Sequence, residues 1–316
     1  MKKIACFLVC LMVLFSAVTA FAEENAAEAP VVYFTTDISA QGIQALYEAM
    51  GVEVSGENVG VKITTGEPPA SNYLRVDLIG PFTTMVGGTF IENNTAYGGS
   101  RAATQMHKQV AEDHGFTAVA PVDILDEEGS AIIPVEGGTV LKENYVGSHL
   151  LNYDFLVVMS HFKGHMMAGY GGALKQLSIG CASVEGKCLI HTGGKSHTSP
   201  WGGDQTAFTE SMAEASKSVV DLFGAENCLF FNVMNRLSID CDCSGFPAEP
   251  DIHDIGILAS TDPVALDQAC MDLIYQAEGN EAFVQRVERQ MGVHTIEHAE
   301  AIGLGSRTYT LVNIDE

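Results

Sequence analysis

The residues between Ser160 and Gly180 combine ionisable side chains with closely spaced glycines. The segment reads SHFKGHMMAGYGGALKQLSIG and holds two histidines, two lysines and five glycines. Histidine is the side chain that most often transfers protons near neutral pH, and a lysine beside it can hold a carboxylate. We therefore predict His161, His165 and Lys175 as catalytic residues, with acid–base chemistry by the histidines and a carboxylate held by the lysine.

This segment is predicted to pass from a strand through a loop into a helix. On one continuous helix, His161 and His165 would share a face and could bind one metal ion. The intervening glycines make such a helix costly, at roughly 1 kcal/mol each. A loop before a helix start instead offers free backbone N–H groups, which favour an anion beside lysines. The predicted ligand-binding residues are Lys163, Gly171 and Gly172; a tight turn with solvated lysines and one structural histidine is the alternative.

A second candidate site follows the apolar segment CLFFNVM. Cys241 and Cys243, with His253 further along, offer ligands suited to zinc or iron. We predict these three residues as metal ligands. The alternatives are a disulfide, two free thiols, or a hard cation bound by nearby aspartates such as Asp242.

A third group of polar residues lies in ENNTAYGGSR, after a predicted strand. Asn94, Tyr97 and Arg101 are predicted to bind a ligand there, and polar capping of a helix start is the alternative. Lys62 ends the predicted strand NVGVKITT as a single lysine, and simple exposure is the favoured interpretation of it.

Strand-like and helix-like segments alternate from residue 31 to the end of the chain. SAQGIQALYEAMG is predicted to form a helix that ends at Gly51, and Asp262-Pro263 is typical of a helix start. Alternation of this kind predicts an α/β fold with a mostly parallel or mixed sheet layered with helices, as one domain over residues 31–316 or as two interlocked lobes. The segments ENNTAYGG, SHFKGH and NRLSIDCDC each follow a predicted strand, which predicts one shared site at the carboxyl edge of the sheet.

The first 22 residues, MKKIACFLVCLMVLFSAVTAFA, are typical of a cleaved signal peptide. We predict export to a periplasmic or extracellular location without a stable membrane anchor, and a flexible segment over residues 23–30. The net charge of −24 argues against nucleic acid as a partner. Among the six remaining cysteines, Cys228 and Cys270 lie in apolar runs and are expected in the core.

Several motifs together resemble those of domain-of-unknown-function family 362 (DUF362). They are VKITTGEP, GGTFIENNTAYGGSR, SHFKGH…GYGGALKQLSIGCAS, NVMNRLSIDCDC and DIGILASTDPVALDQAC, within a resemblance that runs from about residue 31 to 315. Members of that family are often labelled iron–sulfur proteins, and many of them carry a ferredoxin-like insert after the segment matching GCASVEGKCLIH. This sequence has only TGGKSHTSPWGGDQ there, which argues against an iron–sulfur cluster.

A shorter pattern, H-x-x-A-G-[FY]-x-G-x-x-K with a later histidine, is similar to one in the lactate racemase family, which uses a nickel-pincer nucleotide. The resemblance implies a proton-transferring role for His165, a cofactor-bearing role for Lys175 and a metal-ligand role for His191. It covers about thirty residues and indicates where the pocket lies.

The targeting segment has no twin arginine, so we expect the chain to cross the membrane unfolded. A preloaded cluster or nucleotide would not survive that passage, whereas a single transition-metal ion or a small anionic molecule could bind afterwards. Three functions stay open: acid–base catalysis on a small hydroxy- or keto-acid, non-catalytic redox-linked metal binding, and solute binding.

Overall fold

The computed structural model describes residues 29–316. The predicted signal peptide and most of the predicted flexible segment lie outside the described residues. Among the helices formed by residues 29–316, none is long and apolar enough to cross a bilayer.

Twelve strands are formed by the described residues. They are β1 Val31–Thr35, β2 Val59–Lys62, β3 Thr89–Glu92, β4 Val122–Ile124, β5 Ser130–Pro134, β6 Glu143–Gly147, β7 Phe155–His161, β8 Lys163–His165, β9 Gly169–Gly171, β10 Cys228–Met234, β11 Gly256–Ser260 and β12 Thr310–Asn313.

Nine α-helices are formed by the same part of the chain. They are α1 Ala40–Met50, α2 Val76–Met85, α3 Thr104–Asp113, α4 Ala173–Lys175, α5 Val184–His191, α6 Gln205–Phe223, α7 Pro263–Gln276, α8 Glu281–Arg289 and α9 Gly292–Ala301. The short α4 continues directly into a wider π-helical turn over Gln176–Gly180.

Eight strands form one mixed sheet in the order β12-β1-β11-β10-β7-β2-β3-β4. All neighbouring pairs are parallel except the two that involve β11, which runs against both β10 and β1. The remaining strands form two hairpins, β5–β6 and β8–β9. The predicted α/β fold with a mostly parallel or mixed sheet is confirmed.

Helices cover both faces of the sheet, and alternate residues of each central strand enter different cores. In β7, Leu156 and Val158 pack in a cluster with residues of α4, α6 and α7. Their neighbours Val157 and Met159 pack in a second cluster with residues of α1 and α2. Burial on both faces explains why these strands are continuous apolar runs rather than alternating ones. Cys228 and Cys270 are buried in the first cluster, as predicted.

The helix ends follow their local sequence signals. Ser39 accepts a hydrogen bond from Gly42 N–H at the start of α1, and Gly51 ends that helix in a left-handed conformation. Asp262 caps α7 through two backbone N–H groups, and Pro263 is its first residue. Both predictions are confirmed. Residues 281–302 are helical but form two helices, α8 and α9, because the chain turns at Met291, whose φ is 53°.

Candidate functional site

Parallel strands place their ends together at one edge of the sheet. The strands β2, β3 and β7 are neighbours and end at Lys62, Glu92 and His161. The loops after β3, β7 and β10 carry the three polar segments singled out in the sequence. All three contribute side chains to one cavity at this edge.

The cavity has two adjoining chambers. We call the one of about 60 Å³, which borders the buried side chains of Glu92 and Asp242, the inner chamber, and the one of about 370 Å³ the outer chamber. Six residues line both chambers: Tyr97, Lys175, Ile179, Lys187, Cys241 and Cys243. The inner chamber is otherwise lined by Thr64, Glu92, Asn93, Thr95, Arg101, Lys163, Gln176, Gly180 and Asp242. The outer chamber is otherwise lined by His165, Met166, Met167, His191, Trp201, Asp240 and Ser244.

Lys62 lies beneath the inner chamber and is fully buried, so the expectation that it would be exposed is wrong. Its Nζ lies 2.9 Å from Glu92 Oε2 and also donates to the Ile63 carbonyl. Arg101 contacts the other oxygen of Glu92 at 3.4 Å and contacts Glu67 at 3.2 Å. Burial alone would raise the pKa of Glu92, but the charges of Lys62, His107 and Arg101 outweigh burial and hold it at about 2. Lys62, Glu92 and Arg101 therefore form buried ion pairs in which the carboxylate of Glu92 already has its cationic partners within the protein.

Asp242 is the centre of a second group of buried ion pairs. Its Oδ1 lies 2.8 Å from His161 Nδ1, and its Oδ2 lies 3.2 Å from Lys163 Nζ. Burial opposes ionisation of Asp242, but His161 and Lys163 lower its pKa well below the ordinary range. The other ring nitrogen of His161 lies 2.7 Å from the Asn235 carbonyl, so both nitrogens face acceptors. His161 is buried and lines neither chamber, which places it as a support for Asp242.

Lys175 and Lys187 differ from these paired cations. Neither ammonium lies within 4.0 Å of a carboxylate oxygen of residues 29–316. Lys187 Nζ donates to the Ala182 carbonyl, and Lys175 Nζ makes no hydrogen bond with the described residues. Burial, assisted by the charge of Lys163, lowers the pKa of Lys175 to about 7. Burial lowers the pKa of Lys187 to about 8. Both side chains line the cavity without a carboxylate in contact. The more distant charges of Asp242 for Lys175, and of Asp126 and Glu92 for Lys187, offset only part of the lowering of each pKa.

His165 and His191 line the outer chamber in complementary states. His165 Nδ1 accepts hydrogen bonds from the N–H groups of Met167 and Ala168, so its neutral ring carries the proton on Nε2. His191 Nδ1 lies 2.6 Å from the Lys187 carbonyl and donates to it, so its neutral ring leaves Nε2 unprotonated.

Burial keeps both of these rings neutral. It lowers the pKa of His165 well below its ordinary value and that of His191 to about 4. Neither Nε2 has a hydrogen-bond partner among residues 29–316, and neither is a fully enclosed atom. One cavity therefore presents an imidazole donor and an imidazole acceptor.

The two sulfur atoms of Cys241 and Cys243 are joined in a disulfide. Each sulfur also lies within 4.8 Å of a ring nitrogen of His165. The three residues could hold a metal ion when the cysteines are reduced and His165 gives up its Nε2 proton. His191 lines the same outer chamber. His253 is exposed and lines neither chamber, so the structure does not bring it to the cysteines.

The start of α4 is already occupied by a carboxylate of the protein itself. Asp267 accepts hydrogen bonds from the backbone N–H groups of Ala173 and Leu174, from Tyr170 Oη and from the Asn232 amide. The predicted backbone cradle for an external anion is therefore filled from within.

The two glycines predicted to bind ligand sit against this internal contact. Gly171 and Gly172 line neither chamber. A side chain at Gly172 would lie 2.4 Å from a carboxylate oxygen of Asp267, which explains the need for glycine there.

Some residues of the segment after β3 line the cavity, whereas Asn94 forms a contact outside it. Tyr97 and Arg101 line the inner chamber. Asn94 does not; its amide donates to Thr104 Oγ1 at 2.9 Å, beside the start of α3. Its neighbour Asn93 lines the inner chamber instead and donates to the Gly180 carbonyl.

Sequence reasoning missed Lys187, Glu92 and Trp201. Lys187 lies four residues before His191 on α5, and this spacing places both on one helix face. That spacing was a usable signal. No signal in the sequence indicated Glu92 or Trp201, because the residues that surround each of them come from distant parts of the chain.

The family model of a domain of unknown function, DUF362, matches residues 59–272. The chain belongs to this family. The match spans all the cavity-lining residues described above. A comparison with curated proteins found no match.

Two solved structures are similar to this DUF362 protein. The lactate racemase apoprotein from Thermoanaerobacterium thermosaccharolyticum matches with a TM-score of 0.45 and 12% identity, over 77% of this chain and 56% of that one. A structural genomics target from Thermotoga maritima matches with a TM-score of 0.40 and 14% identity, over 83% of this chain and 58% of that one. This chain therefore spans little more than half the length of either protein.

Proposed function

We propose that this DUF362 protein binds a small organic anion in the two-chamber cavity. The observation that carries the proposal is the pair Lys175 and Lys187, which line both chambers without a carboxylate partner among the described residues. A buried ammonium without a counter-charge is unfavourable, and an entering anion supplies that counter-charge. The acidic protein surface makes this cationic pocket a local exception that selects ligands by charge.

The two histidines support acid–base chemistry on the bound anion. His191 presents an unprotonated Nε2 that can accept a proton, and His165 presents an N–H that can donate one. An anion held by the lysines also offsets the charges that lower the pKa of His191, which brings it nearer to neutral pH. A small hydroxy- or keto-acid fits this arrangement, with its carboxylate at the lysines and its reacting carbon between the rings.

Proton exchange tests the catalytic part of this proposal. The full chain is incubated with lactate or pyruvate in deuterium oxide, and loss of the α- or methyl-proton signal is followed by NMR. We expect exchange that His191→Ala reduces by about 10²-fold or more, the usual contribution of a general base. The exposed His253→Ala is the control and retains the rate. Binding of lactate without exchange would instead identify a solute-binding protein.

A second candidate function is transition-metal binding, favoured by the grouping of His165, Cys241 and Cys243. Two thiolates and an imidazole suit zinc or iron. His191 lines the same chamber but lies outside this group of three. The residues fit an iron–sulfur cluster poorly. Such clusters are typically held by four cysteines, and only two of the cysteines among residues 29–316 line the cavity.

Elemental analysis tests the metal proposal directly. The reduced full chain is incubated with zinc and desalted, and we expect about one equivalent to remain bound. Cys241→Ser should lose it, whereas Cys188→Ala, which removes a thiol outside the cavity, should keep it. Equal retention by both variants, or none in the reduced wild-type protein, would contradict a site at these cysteines.

Export of the mature protein remains part of the proposal. The Cys241–Cys243 disulfide supports it, because disulfides persist in oxidising compartments. In that compartment the anion-binding function requires no reduction of the cysteines, whereas metal binding through two thiolates does.

A further inference from the structure

The two chambers of the cavity differ in chemistry as well as in size. Charged and amide side chains dominate the walls of the inner chamber, whereas Met166, Met167 and Trp201 contribute to the outer one. Trp201 is 61% exposed and Met166 is 68% exposed. Large apolar side chains clustered at the rim of a cavity are typical of a binding surface.

The volumes set what each chamber can take. One water molecule needs about 15 Å³ of cavity volume measured in this way. The inner chamber, at about 60 Å³, therefore has room for about four groups of the size of a water molecule. That suits a carboxylate or phosphate group and is too small for a ring beside it. The outer chamber, at about 370 Å³, lies within the range of sites for organic ligands.

Lys175 and Lys187 line both chambers and so mark the junction between them. An anionic group held by these lysines can enter the inner chamber, while the rest of the ligand extends into the outer one. The direction of the ligand is fixed by this order, because the reverse placement would put apolar atoms against buried charges.

The wall of the outer chamber favours a flat, aromatic ligand body. The rings of Tyr97 and Trp201 have centroids 6.5 Å apart and planes inclined at 38°. Aromatic rings attract other rings in offset or tilted arrangements, and methionine sulfur atoms make favourable contacts with ring edges. An aromatic body therefore gains specific contacts here that an aliphatic body of equal size does not.

We propose that the ligand is an aromatic organic anion, with a carboxylate or phosphate head at Lys175 and Lys187 and a planar ring against Trp201. This inference rests on the proposed anion-binding function and narrows the ligand class. It also provides its own readout, because Trp201 is the single tryptophan of the chain.

The test compares four probes on the oxidised full chain: acetate, cyclohexylacetate, phenylacetate and phenyl phosphate. Binding is followed by tryptophan fluorescence and by calorimetry. We expect phenylacetate to bind at least about tenfold more tightly than acetate, more tightly than cyclohexylacetate, and to change the fluorescence of Trp201. Phenyl phosphate against phenylacetate decides which head group the lysines prefer.

Two variants sharpen the comparison. Trp201→Leu, measured by calorimetry, should bring the affinity for phenylacetate down to about that for acetate. Phe246→Leu is the control, because Phe246 is 79% exposed and lines neither chamber, and it should keep the difference.

The outcomes separate the two proposals. If acetate and phenylacetate bind equally well, anion binding stands and the aromatic ligand class is overturned. Equal binding of cyclohexylacetate and phenylacetate would overturn the aromatic preference in the same way. If none of the four probes binds, this inference fails. The proposed anion-binding function fails with it only when lactate and pyruvate do not bind either.

Discussion

Two pairs of lysines at the carboxyl edge of the sheet differ in their contacts; Lys62, Lys163 and Lys187 are buried, and Lys175 is partly exposed. Lys62 and Lys163 each contact a carboxylate, at 2.9 Å and 3.2 Å. Lys175 and Lys187 contact none among the described residues, and burial lowers the pKa of each. Each lysine of the first pair has its negatively charged partner within the protein. The second pair has no such contact, and we propose that a ligand supplies the negative charge.

The comparison shows that the number of lysines in a cavity does not by itself indicate a binding site. A paired buried lysine supports the fold, and its removal leaves a buried carboxylate uncompensated. An unpaired buried lysine costs stability in the empty protein and contributes affinity in the bound one. The two kinds of lysine are therefore distinguishable by stability and by ligand affinity.

Replacing one lysine of each kind should give the largest contrast. Lys62→Met leaves Glu92 with a weakened set of partners and should lower the free energy of unfolding by about 3 kcal/mol. Lys187→Met removes an uncompensated charge and should change it by less than about 1 kcal/mol, in either direction. Urea denaturation of the full chain measures both. Similar losses in the two variants would contradict the division into paired and unpaired lysines.

Asp242→Asn removes the carboxylate that pairs with Lys163, rather than the lysine. The amide leaves His161 and Lys163 without their shared counter-charge, and we expect a loss of about 2 kcal/mol in the free energy of unfolding. Asp251→Asn alters an exposed aspartate of the same loop and serves as the control, with no more than about 0.5 kcal/mol expected. An Asp242→Asn protein as stable as this control would show that the pairing adds nothing.

The two lysines without a carboxylate partner should make the affinity for an anion depend on pH. The pKa values of Lys175 and Lys187 are about 7 and about 8, so both lose their protons as the pH rises past neutrality. An anion binds the protonated lysines, and its affinity should therefore fall by at least about tenfold between pH 6.5 and pH 9. Calorimetric titrations with phenylacetate at both pH values measure this fall. A dissociation constant that stays the same across this range would count against the lysines as the ligand's partners.

A smaller effect is expected on the stability of the empty protein. The folded pKa of Lys187, about 8, lies below its ordinary value of 10.5, so the unfolded chain binds more protons in this range. Lys187 therefore makes the free energy of unfolding rise with pH, and between pH 7.5 and pH 8.5 its share should be less than about 1 kcal/mol. This share is the difference in slope between the wild-type protein and Lys187→Met, which cancels the other groups. A steeper rise in the variant than in the wild-type protein would have the wrong sign.

Local signals in the sequence were sufficient for most of the elements and for the edge of the sheet at which the cavity lies. Ser39 and Gly51 bound α1, and Asp262 with Pro263 starts α7, because each acts on backbone groups a few residues away. The edge of the sheet could also be predicted, since polar segments after parallel strands meet at one edge. The helix α2 was missed because Pro81 lies within it and interrupts the usual helical pattern.

Pairings between distant residues could not be predicted. Lys62 was expected at the surface because its partner Glu92 lies thirty positions away. The start of α4 was expected to bind an external anion, but Asp267, ninety-four positions from Ala173, occupies it. Neither contact leaves a pattern in a single sequence, and each one decides whether a charge is structural or available to a ligand.

The most direct test of the central claim is a calorimetric titration of the full chain with phenylacetate at pH 6.5, repeated with Lys175→Met and Lys187→Met. The account predicts saturable binding of one equivalent in the wild-type protein and a loss of affinity of at least about tenfold in each variant. Lys217→Met, which removes a lysine already paired with Asp221 outside the cavity, should bind like the wild-type protein. Wild-type affinity in both cavity variants, or no binding in any protein, would contradict the claim that these two lysines hold an anion.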